Sequence, residues 1–347
     1  MIPIKSNNKT QRLNLIIIIP YRFINEQEDK TPIMYLKKAI IIIFAGFISV
    51  LAAAQANKTA TRETTKLSNK PTALPVVYIK GDNSLLFEIT GPGLVQPSWL
   101  FGTMHVLCEQ DAKLSTGLKS AIKQSENIYF EIDMDNMEQM MGALKFIRMN
   151  HGIKLSELLT PIEYDRVKTY FDKNKPIMPF AMMNRFKPYF VTALIGEDIL
   201  DCDKKISMEQ LLLSEAKKYE KAVEGLETLE FQASIFDSIP YEKQAKDLVN
   251  YVDSIEIYRS LMQEAVTMYK KQNISKLDSM MQKSDPGLTD YMDLLLYQRN
   301  RNWVGQIRDK ITENSCLFAF GAGHLGGAKG VINLLRQQGF IVRAIKN

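Results

Sequence analysis

Histidine is scarce in this chain, with three residues in 347, and cysteine is no commoner. Cys108, Cys202 and Cys316 are too few, and odd in number, for a disulfide framework; in an oxidising compartment one pair could form and leave one thiol over. Cys316 opens an apolar run and reads as a small core residue. An excess of charge is lacking too. The formal net charge is +5, but residues 1–56 hold seven Lys/Arg (Lys5, Lys9, Arg12, Arg22, Lys30, Lys37, Lys38) against Glu26, Glu28 and Asp29, which leaves the rest near neutral. That excludes the basic footprint of a nucleic-acid-binding protein. What is present, 46% hydrophobic and 24% charged residues, excludes disorder throughout and suffices for one large or two small cores.

From Met34 the order is Met-Tyr-Leu-Lys-Lys, an almost wholly apolar stretch from Ala39 to Leu51, then Ala52-Ala53-Ala54-Gln55-Ala56. Positive, apolar and small-residue segments in that order predict a secretory signal peptide over residues 34–56, cleaved near Ala54 or Ala56. The alternative is an uncleaved membrane anchor, against which stands an apolar run shorter than the ~20 residues of a spanning helix. Residues 1–33 read as an upstream extension ahead of the true start. Residues 57–75, rich in Thr, Lys, Asn and Ser, read as a polar linker before a domain at 76–347. The expected protein is exported, periplasmic or extracellular, and meets a membrane only if the leader stays uncleaved.

One short pattern occurs twice. In Leu317-Phe318-Ala319-Phe320-Gly321-Ala322-Gly323-His324-Leu325, an apolar run of strand length stops at a glycine-rich turn whose one polar side chain is histidine. Trp99-Leu100-Phe101-Gly102-Thr103-Met104-His105-Val106 repeats the order Phe-Gly-x-x-His-aliphatic. Around the first copy, Val76–Ile79 and Leu85–Ile89 bracket Gly81-Asp82-Asn83 as a hairpin, Ser98–Phe101 is a strand, Ser115–Ser125 has helical spacing, and Asn127–Ile132 is a buried strand. Apolar residues at i, i+3, i+4 then predict helices over Met137–Met149, Ser156–Leu159, Pro161–Lys173, Met208–Tyr219, Lys243–Met268, Ile274–Gln282 and Leu288–Thr312. The methionines of Met134–Met149 read as core packing. Lys221–Val223 is a short strand, Ala328–Gln338 a helix and Ile341–Ile345 a closing strand. The fold class is α/β: a central mixed sheet flanked by helices, built from two Gly-x-x-His halves separated by a helical insertion.

Gly321-x-Gly323-x-x-Gly326 also satisfies a dinucleotide fingerprint, but no acid or further βαβ unit follows at the required distance. The other use of Gly102, Gly321 and Gly323 is steric: they let the backbone turn so that His105 and His324 project into a crevice at the sheet's carboxyl edge. Imidazole serves there as metal ligand or general base. Glu131, a strand-end carboxylate, completes a two-His, one-carboxylate set suited to metal-assisted hydrolysis. Asp133 shares its face, Asp135 reads as a cap for the helix near Met137, and His151 reads as a C-terminal cap.

Gly102-Thr103-Met104-His105, Tyr129-Phe130-Glu131-Ile132-Asp133, Lys187-Pro188-Tyr189, Gly225-Leu226-Glu227-Thr228 with Gln232, Arg299-Asn300 and Gly321-Ala322-Gly323-His324-Leu325 together resemble the TraB/GumN family. That family contains the TIKI proteases and is similar to the erythromycin-esterase and ChaN-like superfamily. The resemblance implies a metal-dependent peptidase, with His105, Glu131 and His324 as both catalytic and metal-binding residues. The expected cofactor is a divalent ion (Mn, Co or Zn) and the expected substrate a peptide or protein. Lys187, Glu209, Glu227 and Arg299 are expected as supporting or substrate-binding groups. Glu209 stands where the family usually has aspartate, which lengthens its reach by one methylene. Two rivals stay open: a non-enzymatic haem- or metal-binding protein of ChaN-like type, and a metal-free esterase using histidine as base.

Overall fold

A computed structural model of the chain describes residues 83–136, 142, 145–174, 179–282, 291–345 and 347. The leader, the linker, the strand expected at Val76–Ile79, most of the Met137–Met149 helix and the start of the Leu288–Thr312 helix lie outside the described residues. Along the chain run β1 (Leu86–Thr90), β2 (Ser98–Thr103), β3 (Leu107–Cys108), α1 (Thr116–Gln124), β4 (Asn127–Ile132), α2 (Pro161–Asn174), α3 (Pro188–Asp198), β5 (Lys205–Ile206), α4 (Met208–Lys218), β6 (Ala222–Glu227), α5 (Leu229–Ile235), α6 (Tyr241–Asp253), α7 (Ile255–Lys270), α8 (Ile274–Gln282), α9 (Gln298–Glu313), β7 (Cys316–Gly321), α10 (Val331–Gln337) and β8 (Ile341–Ala344), with shorter turns between them.

Six strands form one mixed sheet in the order β6-β4-β7-β2-β1-β8. β6, β4, β7 and β2 are parallel, and β1 lies antiparallel between β2 and β8. The two motif-bearing strands are therefore neighbours, in register Phe101↔Ala319 and Thr103↔Gly321. β7 is buried at every position, as a parallel strand covered on both faces should be. Phe87, Phe101, Phe130, Phe318 and Phe320 are fully buried in the core. Each contributes roughly 1.5–3 kcal/mol by leaving water. Because the four parallel strands run the same way, the residues at and just beyond their carboxyl ends share one edge of the sheet.

Three local expectations change. The helix after His324 starts at Val331, because Gly326 to Gly330 form a loop in which Gly327 takes φ +81°. The single helix expected over Lys243–Met268 breaks at Ser254 (φ −113°, ψ 23°) into α6 and α7. The short strand at Lys221–Val223 is a full edge strand, β6, which ends on Glu227. In the turn after β4 the Asp133 carboxylate accepts from the N–H groups of Asp135 (3.0 Å) and Asn136 (3.2 Å), and Asp135 pairs with Lys217; the start of the helix for which Asp135 reads as a cap lies outside the described residues. His151 sits in a left-handed conformation (φ 57°) at the short turn Asn150–Gly152.

Cys108 and Cys202 are joined in a disulfide, and Cys316 is free and buried. The bridge lies beside the two-residue β3–β5 ladder. A backbone bond from Met208 N–H to Met104 O (3.1 Å) continues the same seam. Among the described residues no helix is long and apolar enough to cross a membrane.

Candidate active site

β2, β4 and β7 deliver their carboxyl ends side by side, which brings His105, Glu131 and His324 together. Glu131 Oε1 lies 4.0 Å from His105 Nε2 and 4.0 Å from His324 Nε2. The same oxygen accepts the Gly321 N–H at 2.9 Å. The other oxygen, Oε2, accepts from Arg299 Nη2 (2.7 Å) and Gln232 Nε2 (3.2 Å). Arg299, on α9, also donates through Nε to Glu227 at 2.9 and 3.2 Å, and through Nη1 to Leu295 O at 3.1 Å. The guanidinium and the His324 ring both stack on Trp303, at 4.8 and 4.4 Å. Every one of these side chains is withdrawn from solvent.

The hydrogen bonds determine the histidine tautomers. His324 Nδ1 stands 2.5 Å from Asn300 Oδ1, and the Asn300 amide nitrogen donates to Lys329 O at 2.9 Å. The oxygen can only accept, so Nδ1 of His324 carries the proton and its Nε2 lone pair has Arg299 Nη1, a donor, 3.4 Å away and Glu131 Oε1 at 4.0 Å. Burial, reinforced by Arg299, pushes the His324 pKa down to about 3, so the ring is neutral. Burial works against the charged Glu131 carboxylate, yet Arg299 and its other partners hold its pKa at about 2.

His105 has the opposite partner. Its Nδ1 lies 2.6 Å from Glu209 Oε1, and Glu209 occupies the first turn of α4, where the helix N-terminus favours an anion. Burial alone would lower the His105 pKa, but the Glu209 charge and contact raise it. Reciprocally, burial raises the Glu209 pKa and His105 lowers it, with a net lowering. Nε2 of His105 is buried with no hydrogen-bond partner.

Of the residues singled out from sequence, His105, Glu131, His324, Glu209, Glu227 and Arg299 converge here. Lys187 does not. Its buried ammonium pairs with Asp237 (2.9 Å) and donates to Ala233 O (2.8 Å), so it secures α5 one residue beyond Gln232. Asn300 and Gln232 lie inside quoted motifs, but only their contacts disclose what they do; Trp303 had no signal beyond helical spacing.

The chain turns at the second motif, where Gly323 lies inside the short helical turn Ala322–His324, but it does so without a left-handed glycine. Gly102, Gly321 and Gly323 all lack a left-handed φ. Each instead leaves room for a close neighbour. A Cβ on Gly102 would come within 2.6 Å of Leu325 Cδ1, and one on Gly323 within 2.2 Å of Met281 Sδ. A Cβ on Gly321 would lie 3.3 Å from Glu131 Oε1, 3.5 Å from His105 Nε2 and 3.8 Å from His324 Cδ2. Gly321 thus keeps open a cradle bordered by all three candidate residues, His324 through a ring carbon.

By donor type and by the His324 tautomer this set suits a divalent ion. By spacing it is open: donors sharing a tetrahedral ion stand roughly 3.4 Å apart. Among the described residues no three His, Cys, Asp or Glu side chains are gathered closely enough to hold an ion as they stand.

The sequence profile of the TraB/PrgY/gumN family matches residues 85–344. The chain is 24% identical to Metalloprotease TIKI2 of Danio rerio, a match covering 81% of this chain and 64% of that protein. It is 22% identical to Metalloprotease TIKI1 of Xenopus tropicalis, covering 87% and 68% respectively. It is 19% identical to the Metalloprotease TIKI homolog of Nematostella vectensis, covering 72% and 65%. The chain thus spans about two thirds of the length of these relatives. No solved structure matches it. With the family profile running from the first sheet strand to the last and its motifs meeting at one sheet edge, the chain belongs to the TraB/PrgY/gumN family.

Proposed function

We propose that this protein is an exported, metal-assisted hydrolase that cleaves peptides or proteins. The reading rests on the cradle at Gly321, where Glu131 Oε1, His105 Nε2 and the Cδ2 edge of the His324 ring face the position that a side chain on residue 321 would take. The metalloprotease names of its relatives support the reaction class. His105 Nε2, His324 Nε2 and Glu131 Oε1 are the residues that would hold a divalent ion (Mn, Co or Zn), in two-His, one-carboxylate fashion. When bound, such an ion polarises a carbonyl and lowers the pKa of water.

The remaining chemistry belongs to the chain. Asn300 fixes the His324 tautomer, whose Nε2 lone pair would exchange the nearby Arg299 Nη1 for the ion, and Glu209 orients His105 as a carboxylate behind a ligating histidine does. Arg299 keeps Glu131 ionised and offers a fixed positive charge to an oxyanion forming beside it. Burial strengthens each of these interactions. The two-half architecture of the erythromycin-esterase and ChaN-like superfamily, with residues 76–347 as one catalytic domain, forms part of the proposal.

A metal-free mechanism is the second reading, and the His105–Glu209 contact favours it, because a carboxylate partner makes imidazole a stronger base. Haem is disfavoured: the cavity beside His105 amounts to about 50 Å³, far too small for a porphyrin.

Metal content and peptide-library cleavage measured on one purified sample separate these readings, since activity surviving exhaustive chelation selects the base. Calorimetric titration with Mn²⁺, Co²⁺ and Zn²⁺ should show weaker binding in His105→Ala, His324→Ala and Glu131→Gln. The double histidine variant should lose less than the sum. Wild-type affinity in either single histidine variant counts against a shared site. Export draws on the leader at 34–56 and on the Cys108–Cys202 bridge, which belongs to an oxidising compartment. N-terminal sequencing should find a mature start near Gln55 or Asn57. A form retaining Met34–Leu51 would be an anchored one.

A further inference from the structure

A second space opens beside the cradle. It is a cavity of about 50 Å³ bordered by His105 and Gly321 and walled by Met104, Tyr269, Leu277, Met280 and Met281. All five wall residues are buried. The Tyr269 hydroxyl is committed to Gly102 O at 2.9 Å, so the tyrosine contributes ring surface rather than a polar group. Thr103 and His105 bring its polar atoms; the rest of its lining, methionine, leucine, alanine, glycine and the tyrosine ring, is apolar. The slot therefore suits an apolar guest.

Size narrows the guest. An apolar cavity of about 150 Å³ takes up benzene, so a slot of about 50 Å³ has room for a short aliphatic group and not for an aromatic ring. Its depth is set where α8 meets the second motif: Met281 Sδ occupies the position that a side chain on residue 323 would take. Resting on the hydrolase reading above, we propose that this slot is the specificity pocket. It receives the short apolar side chain, alanine or valine in size, of the substrate residue next to the scissile peptide bond. The two motif glycines thus divide the work: Gly321 leaves space for the reacting atoms, and Gly323 lets Met281 close the pocket that selects the substrate.

The test has two arms. In the first, kcat/KM is measured for peptides that differ at one position (Ala, Val, Leu, Phe), with the wild type and with Met281→Ala and Met280→Ala. The wild type should favour Ala or Val over Leu and Phe by about tenfold or more, the discrimination that a methylene earns in an apolar pocket. Opening the wall should move the preference at least tenfold toward Leu. In the second arm, crystals of the wild type are pressurised with xenon, which enters dry apolar cavities without any need for turnover. Xenon in the slot together with the shifted preference supports the proposal. A flat preference, or one unmoved in both variants, overturns the pocket while leaving hydrolysis intact. Xenon absent from the slot overturns its apolar character. Xenon present but no peptide cleaved by the wild type overturns the hydrolase reading, and with it the assignment of the slot to a peptide.

Discussion

Gly321→Ala places one methyl group in the cradle. The new carbon would sit 3.3 Å from Glu131 Oε1 and 3.5 Å from His105 Nε2. The first contact is tight by a few tenths of an ångström, and the atom that must give is the end of a side chain. Overpacking costs about 1–3 kcal/mol, and with so small a displacement the low end applies, about 1 kcal/mol. For a domain of this size that lowers Tm by about 2–4 °C. Binding should suffer far more. A divalent ion sits about 2.0–2.2 Å from nitrogen and oxygen ligands, so an ion and this methyl carbon cannot both face the same donors. The expected loss of Mn²⁺, Co²⁺ or Zn²⁺ affinity is at least a hundredfold, about 2.8 kcal/mol. Scanning calorimetry and metal titration on the same preparation read the two quantities separately. A folded Gly321→Ala with wild-type metal affinity and activity would refute the cradle.

Glu209→Gln removes the charge that raises the His105 pKa, so His105 should titrate at lower pH, and metal affinity should fall by roughly 10–100-fold. With only three histidines, ¹⁵N-labelled imidazoles can be followed one by one, and an unmoved His105 titration counts against the dyad. His324 is held neutral, with a folded pKa of about 3 against 6.5 for a free imidazole. Between those values the unfolded chain binds the extra proton, so stability drops as pH falls, by up to about 1.4 kcal/mol per unit. Urea unfolding of wild type and His324→Gln from pH 7 to 4 should show the slope flattened in the variant; equal slopes would contradict a buried neutral ring. Cys108 and Cys202 close a loop across 94 positions, and losing that bridge should lower stability by up to about 4–5 kcal/mol. An unchanged urea midpoint in Cys108→Ala/Cys202→Ala would show that the seam behind His105 holds without it.

The sequence by itself determined the parts whose signals are local. β4 (Asn127–Ile132) and α8 (Ile274–Gln282) were legible residue for residue, because alternation, helical spacing and turn residues act within a few positions. Residue chemistry made His105, Glu131 and His324 candidates, since scarce histidines in matched motifs and a strand-end acid are visible without coordinates. What the tertiary structure decided is who faces whom. Glu131 and Gly321 lie 190 positions apart, and only the parallel register of β4, β7 and β2 brings them into contact. Lys187 stands in a motif as prominent as that of Arg299, yet one holds α5 and the other reaches Glu131. A formal charge carries no information about its partner. Glu209 was an unexplained departure until α4 set its carboxylate against His105. The motif glycines show the limit most clearly: glycine in a sequence marks a missing side chain, but whether a turn, a methionine or an open cradle needs that space is settled only by what packs above it.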